Sequence, residues 1–342
     1  MRILFVYTGD TGSDQTIQGY TTAAEALGHE IVVYGPASST VESDAVVFIL
    51  EGRPAPPGAD NLDLARLVAR VPRERRVVID TDGCYNDAIS VGAGDVDRSY
   101  GDTAARVRWI EIADSLSDKI MQPTLHPLRE NVGTFFFHAY NPDLEIPLDF
   151  AEKPYGMAYV GTNWFRWEPL KRVLGAVEPV RAEVGRMMIA GNGWSSQTWW
   201  APWAPPPSAH VTDPAYLQGL GIELCPPVPL ERVVPTMSLG VVNPVLLRPI
   251  FDLLHLVTVR TFETPAANTI PLFSQDTGFV AEIYGEEALE LCLPEVDPHE
   301  KIVDLLDRPD HYGGIVERIR ARLREHFSHE RQLGRLVELI EA

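Results

Sequence analysis

The densest chemical signal in the chain is the run Arg260 to Phe273, RTFETPAANTIPLF. Glu263 stands at the start of a short predicted helix that leads into a strand. A carboxylate there can accept hydrogen bonds from two ribose hydroxyls, while Arg260 can neutralise phosphate oxygens. The competing use of Glu263 is a charge interaction with a helix N-terminus. Earlier in the chain, Gly161, Thr162 and Asn163 form a polar loop with Arg166 close behind. Backbone N–H groups and a planar guanidinium suit a diphosphate, and the bland counterpart is a turn with a surface arginine. The GNGW run contributes Gly193 and Trp194, whose indole either stacks near a base or covers a domain edge.

Proton chemistry points to the first half. His138 follows the FFF run at a predicted strand end, and its near-neutral basicity fits proton abstraction from a hydroxyl; a satisfied half-buried histidine is the alternative. His126 is the other histidine expected near the cleft. Asp80 and Asp82, with Asp87 nearby, read either as a magnesium or general-base cluster or as strand-end caps and Asx turns, with Asp82 a candidate to orient an acceptor. Gly9, Gly12 and Ser13 after the first strand offer an anion backbone N–H groups at a helix start, or form a tight turn with no ligand. The loop is neither GxGxxG nor GxxxxGK[ST], and no acid stands where a ribose clamp is expected. A Rossmann dehydrogenase and a P-loop nucleotidase are thereby disfavoured.

The elements that must position these groups repeat. Ile3–Tyr7, Glu30–Val33, Ala45–Leu50 and Arg76–Ile79 read as buried strands, with helices over Thr16–Leu27, Leu62–Ala69 and Trp109–Leu116. Lys119–Gln122 and Thr134–Phe137 follow as further extended segments. The polar, proline-bearing stretch Asn141–Pro154 reads as a linker, after which the pattern restarts with strands at Met157–Val160 and Arg186–Ala190 and a helix near Leu170–Ala176. Both halves are then parallel α/β sheets whose binding loops follow the strand ends. Ser195–His210 is too rich in Trp and Pro for a regular element. With Trp194, its Trp199, Trp200 and Trp203 are expected to edge the cleft, a homodimer contact being the competing use. Ile315, Ile319, Leu323 and Phe327 mark an amphipathic helix whose arginines read mostly as a solvated face. HERQLGRLVELI supplies a last apolar stripe that either caps the second domain or crosses back to the first.

Composition bounds the function. A chain of 342 residues suits two domains. A net charge of -19, from 29 basic and 48 acidic residues, opposes nucleic-acid and anionic-lipid partners. Cys84, Cys225 and Cys292 lack CxxC spacing and give no zinc site. No apolar run is long enough to span a membrane, and a cytoplasmic location is expected. Arginine exceeds lysine, and Ala and Pro are frequent, as in a GC-rich bacterial genome.

The chain resembles the CgeB-like (spore-maturation protein-like) glycosyltransferase group within the GT-B superfamily. The matching pieces are FFFHAYNPDLEIP, AYVGTNWFRWEPL, MMIAGNGW, SLGVVNPVLLRP, RTFETPAANTIPLFSQDTGFVAEIYG and HFSHERQLGRL, in family order. The resemblance implies a GT-B fold of two Rossmann-like domains facing a central cleft. Residues 1–150 would bind a hydroxyl- or amine-bearing acceptor, with His138 and Asp82 as catalytic candidates. Residues 151–325 would bind a nucleotide sugar, and residues 326–342 form the terminal helix. By that resemblance Glu263 would hold the donor ribose, Gly161, Thr162, Arg166 and Arg260 would surround the diphosphate, and Gly193 and Trp194 would lie near the nucleotide; Gly12, Asn163 and Thr264 are further donor candidates read from the residues themselves. The donor is a co-substrate; no cofactor and no metal are expected, since no DxD-like site stands in the second half. His255 occupies the position of a second glutamate that many retaining members carry. The implied activity is transfer to a natural product or a glycan. The alternatives are a nucleotide-sugar epimerase or hydrolase, and a non-catalytic sugar-binding protein of the same fold.

Overall fold

The computed structural model describes residues 1–7, 11–34, 42–50, 70–86, 103–195, 211–273 and 278–342. Gly9, Asp87, Trp199, Trp200, Trp203 and the expected helix at 62–69 lie outside the described residues.

Strands β1 (Arg2–Tyr7), β2 (Glu30–Val33), β3 (Ala45–Leu50), β4 (Arg76–Asp80), β5 (Ile120–Gln122) and β6 (Val132–Thr134) form a parallel sheet in the order β2-β1-β3-β4-β5-β6. Helix α1 (Thr11–Leu27) follows β1, and α2 (Thr103–Leu116) precedes β5. β3 and β4 are buried at every position, which is why AVVFIL and RVVID do not alternate.

The second sheet contains β7 (Tyr155–Val160), β8 (Met187–Ala190), β9 (Ile222–Cys225), β10 (Gly240–Val245) and β11 (Ile270–Phe273) in the parallel order β11-β10-β7-β8-β9. Helix α3 (Trp167–Val177) follows β7, α4 (Val259–Ala266) precedes β11, and α5 (Pro298–Asp307), α6 (Pro309–Phe327) and α7 (His329–Glu341) end the chain. β9 and β10 escape the sequence reading. In β10 the Asn243-Pro244 step reads as a break, because proline cannot donate to a ladder. It is tolerated because pairing with β7 is confined to Gly240 and Val242, while Pro244 lies opposite Leu272 of β11.

The FFF run lies past β6 instead of forming its core, and it is the seam between the domains. Phe135 and Phe137 enter the core of the first sheet, while Phe136 enters that of the second. Phe136 meets Phe327 at 5.6 Å between ring centroids, and the Tyr140 amide donates to the Phe327 carbonyl at 2.8 Å. Helix α7 packs Leu333, Leu336 and Ile340 into the first-sheet core alongside Ile17 and Tyr20 of α1. No described helix is long and apolar enough to cross a membrane.

The expectation of a solvated arginine face on α6 fails most clearly at Arg320, which is 2% exposed. Its Nε donates to the Pro265 carbonyl at 2.7 Å, and one terminal nitrogen donates to the carbonyls of Ile146 and Ala267, each at 2.9 Å. A single guanidinium thus ties the linker to the C-terminal end of α4, using the several donors that only arginine carries. Replacing Arg320 by Met keeps the buried volume but strands those carbonyls. The urea midpoint is expected to fall by the equivalent of about 3 kcal/mol or more, with an unchanged denaturant slope. A midpoint within error of wild type would contradict the role of this clamp.

Candidate active site

Ligands of open parallel sheets sit at the carboxyl edge where the strand order reverses. In the second sheet that point lies between β7 and β10. The loop after β7 contains Gly161 to Arg166, and the chain leaving β10 reaches Arg248.

Much of the first loop is scaffold. A Cβ on Gly161 would lie 2.7 Å from the Tyr159 hydroxyl, and one on Gly191, at φ +151°, would collide with the Gly161 carbonyl. Asn163 is fully buried. Its side-chain oxygen accepts from the Arg166 amide at 3.1 Å, and its amide nitrogen donates to the Gly193 carbonyl at 3.2 Å and to Thr212 Oγ1 at 2.8 Å. Gly193 itself turns at φ +82°. The stacking expectation for Trp194 is corrected: the ring is 1% exposed and packs edge-on against Tyr159. Its Nε1 donates to the Gly161 carbonyl at 2.7 Å, so the ring has no face left for a base. Thr162 stays partly exposed.

Three guanidinium groups converge here. Arg166 is half-buried and donates to the carbonyls of Leu246 at 3.2 Å and Thr162 at 3.1 Å. Arg248 is 4% exposed and lies 4.5 Å from the centre of the Phe251 ring, with Trp164 and Phe165 also beneath it. Phe165 adopts φ +56°, a conformation costly for a bulky side chain. Arg260 donates to Glu263 at 2.7 Å. Burial lowers the proton affinity of Arg166, and the nearby charges of Arg248 and Arg260 lower it further, against Tyr159 and Asp82. The sequence reading missed Arg248 because β10 did not read as a strand, which hid its carboxyl-edge position.

Glu263 is 5% exposed on α4, whose N-terminus carries a reciprocal Thr258–Thr261 capping box. Burial raises its proton affinity, and the Arg260 charge opposes that rise. The side chain lines a cavity of about 20 Å³ with Gln15, Thr16, Asn141, Phe262 and His329, so both domains contribute. That volume holds a single water. Thr264 is 1% exposed, and its hydroxyl has no hydrogen-bond partner among the described residues. Gly12 lies in the first turn of α1.

On the first-domain wall, Asp80 is buried while Asp82 keeps partial exposure and acts electrostatically on Arg166. His138 is 9% exposed and hydrogen-bonded through Nδ1 to Thr16 Oγ1 at 2.9 Å. It lies behind the cavity's Thr16 and is not part of the lining. Burial first, and then His329, push its pKa down to about 4, so it is neutral at pH 7. His126 and His255 meet across the domain junction at 5.8 Å between ring centroids. Among the described residues, no group of three or more His, Cys, Asp or Glu side chains could hold a metal ion.

No protein-family model matches the chain, and no curated protein matches it in sequence. Solved structures do match along its length. One is an alpha-glucosyltransferase in complex with UDP and a 13-mer DNA, with 11% identity, TM-score 0.62 and 100% of each chain covered. Another is a glycosyltransferase from Rickettsia africae ESF-5, with 10% identity, TM-score 0.57 and coverage of 99% of this chain and 97% of that one. A third is the BGT of T4 phage with its UDP-glucose substrate, with 12% identity, TM-score 0.54 and coverage of 100% and 98%. The T4 phage enzyme also appears with UDP and Mn2+. The two parallel α/β domains of this chain have the GT-B glycosyltransferase fold.

His138 and His329 are both held near pKa 4 by burial, below their ordinary 6.5. The unfolded chain therefore takes up protons first. Their stabilising contribution is complete above about pH 6.5 and is lost as pH falls toward 4, by about 1.4 kcal/mol per pH unit for each. Asp80, pushed up to about 6 by burial, has the opposite sign between its unfolded value and 6, and offsets part of that loss. His138→Gln should flatten the loss of stability between pH 7.5 and 5.5, measured as urea midpoints. Parallel profiles for the two proteins would contradict the assignment.

Proposed function

We propose that the chain is a nucleotide-sugar glycosyltransferase, with a nucleoside diphosphate sugar as donor and a hydroxyl- or amine-bearing acceptor. The observation that supports this most is the convergence of Arg166, Arg248 and Arg260 with Glu263 beside the β7/β10 switch point. A diphosphate relieves the mutual repulsion of the guanidinium groups, and ribose hydroxyls can donate to the Glu263 carboxylate. UDP and UDP-glucose in the structural neighbours favour a uridine donor here. Thr162 and the first turn of α1 at Gly12 complete the donor side, with Thr264 beside Glu263.

In this reading the acceptor oxygen bonds to the anomeric carbon while the bond from that carbon to the phosphate oxygen breaks, and its electron pair leaves with the nucleoside diphosphate. The guanidinium groups stabilise the leaving charge. Asp82, partly exposed and facing Arg166, is better placed than the buried His138 to orient the acceptor hydroxyl. The proton passes to Asp82 or to the departing phosphate. No metal is required, because the three arginines supply the countercharge.

The neighbour crystallised with DNA raises nucleic acid as an acceptor. Residues 1–150 of this chain hold 12 basic and 23 acidic residues, a field that repels a phosphate backbone. We therefore assign the acceptor to small natural products or glycans. The order of the quoted motifs supports kinship with the CgeB-like group, and the composition supports a bacterial, cytoplasmic setting.

Glu263→Ala should weaken UDP binding by about 1.5 to 3 kcal/mol in calorimetry while the protein stays folded. Arg248→Met should weaken it comparably, and EDTA should leave both UDP binding and sugar transfer unchanged. Wild-type affinity in both variants would remove these residues from the donor site, and loss of transfer on chelation would end the metal-free reading.

A further inference from the structure

The turn after β4 is built around one carboxylate. Asp80 is 1% exposed. Its Oδ1 accepts from the Cys84 amide at 3.0 Å, and its Oδ2 accepts from the Tyr85 amide at 2.7 Å and from Gln122 Nε2 at 2.8 Å. Three donors point at two oxygens, so an acceptor-only group is required; an asparagine would set its own NH2 against an N–H. Thr81 fastens the other end of the turn, its hydroxyl donating to the Leu50 carbonyl at 3.0 Å. Gly83, at φ +70°, presses on the second domain so closely that a Cβ would lie 2.6 Å from Leu254 Cδ1. From Thr81 to Asn86 the one residue that is not buried is Asp82, whose charge acts on Arg166 across the cleft.

We propose that Asp80 is a positioning residue for transfer: its buried, fully hydrogen-bonded carboxylate fixes the Thr81–Asn86 turn so that Asp82 stands opposite Arg166 and orients the acceptor. The inference rests on the glycosyltransferase reading above. It separates two aspartates that the sequence presents as a pair. Asp80 spends its oxygens on its own turn and on β5, while Asp82 keeps partial exposure. Burying a carboxylate is costly, and the hydrogen bonds from β5 and its own turn offset only part of that cost, since burial still pushes the Asp80 pKa up to about 6.

The test is a double-mutant cycle on Asp80→Asn, Asp82→Asn and the double variant. UDP affinity is measured by calorimetry, and UDP release is measured from UDP-glucose with water as acceptor. UDP affinity is expected to stay within about twofold throughout, release to fall about tenfold in each single variant, and the double variant to be no slower than Asp82→Asn. Wild-type release by Asp80→Asn, or an equal loss in the Asp82→Asn background, would overturn the proposal. So would a parallel loss of UDP affinity, since that is the mark of a purely structural role. Gln122→Met, which removes one donor and leaves both amides, should give a smaller loss of the same kind if Asp80→Asn fails to fold. A crystal structure of the Asp80→Asn or Gln122→Met protein gives a readout without turnover: Asp82 drawn away from Arg166 supports the proposal, and an unmoved Asp82 overturns it. Failure of wild type to bind UDP and every other nucleoside diphosphate would instead bring down the glycosyltransferase reading, and this inference with it.

Discussion

Repulsion among Arg166, Arg248 and Arg260 is the constraint around which the cleft is organised. Like charges brought together in a partly desolvated site raise one another's energy; the proton affinity of Arg166 is depressed first by burial and then by the charges of Arg248 and Arg260. The fold holds the groups in place by separate means. Backbone carbonyls of the loops after β7 and β10 restrain Arg166, aromatic faces underlie Arg248, and the Glu263 carboxylate pairs with Arg260. These supports gather three cationic side chains in a protein whose net charge is -19. In the proposed reading a bound diphosphate completes the site, and the arginines need no rearrangement to stabilise the leaving group.

Keeping that cluster opposite the first-domain wall requires the two domains to share a fixed seam. The alternation of Phe135, Phe136 and Phe137 sends neighbouring side chains into different cores, so the seam cannot open without exposing aromatic surface. Arg320 ties the linker to the end of the helix that carries Glu263, and α7 returns to lie on α1. The Val257 amide donates to the Pro123 carbonyl at 2.7 Å, and Thr124 Oγ1 donates to the Leu254 carbonyl at 2.9 Å, next to the turn that carries Asp82. These contacts, with Gly83 against Leu254, join the turn that carries Asp82 to the second domain.

The repeated parallel architecture was legible because buried strands such as AVVFIL are unbroken apolar runs bounded by turn residues. Arg260 and Arg166 were legible as chemistry because polar groups at strand ends and helix starts stand out from such runs; Glu263 was legible as a carboxylate but misplaced, since it stands past the first turn of α4 and not at its start. Arg248 was not, since the Asn-Pro step in β10 breaks local strand logic and is tolerated only through the one-sided pairing of its second half. Trp194 misled because an indole in a glycine-rich loop looks like a platform, whereas its N–H is needed to satisfy a buried carbonyl. The division of labour between Asp80 and Asp82 depends on which of two near neighbours faces inward, and spacing alone does not carry that. The burial of Arg320 depends on carbonyls contributed by distant segments, to which helical periodicity is blind.

A crystal structure of the protein with UDP bound tests the central claim most directly. The diphosphate is expected within hydrogen-bonding distance of Arg166, Arg248 and Arg260 at the β7/β10 switch point, with the ribose hydroxyls on Glu263. A nucleotide seated elsewhere, with the Arg260–Glu263 pair and the Arg248 aromatic contacts untouched, would contradict that claim.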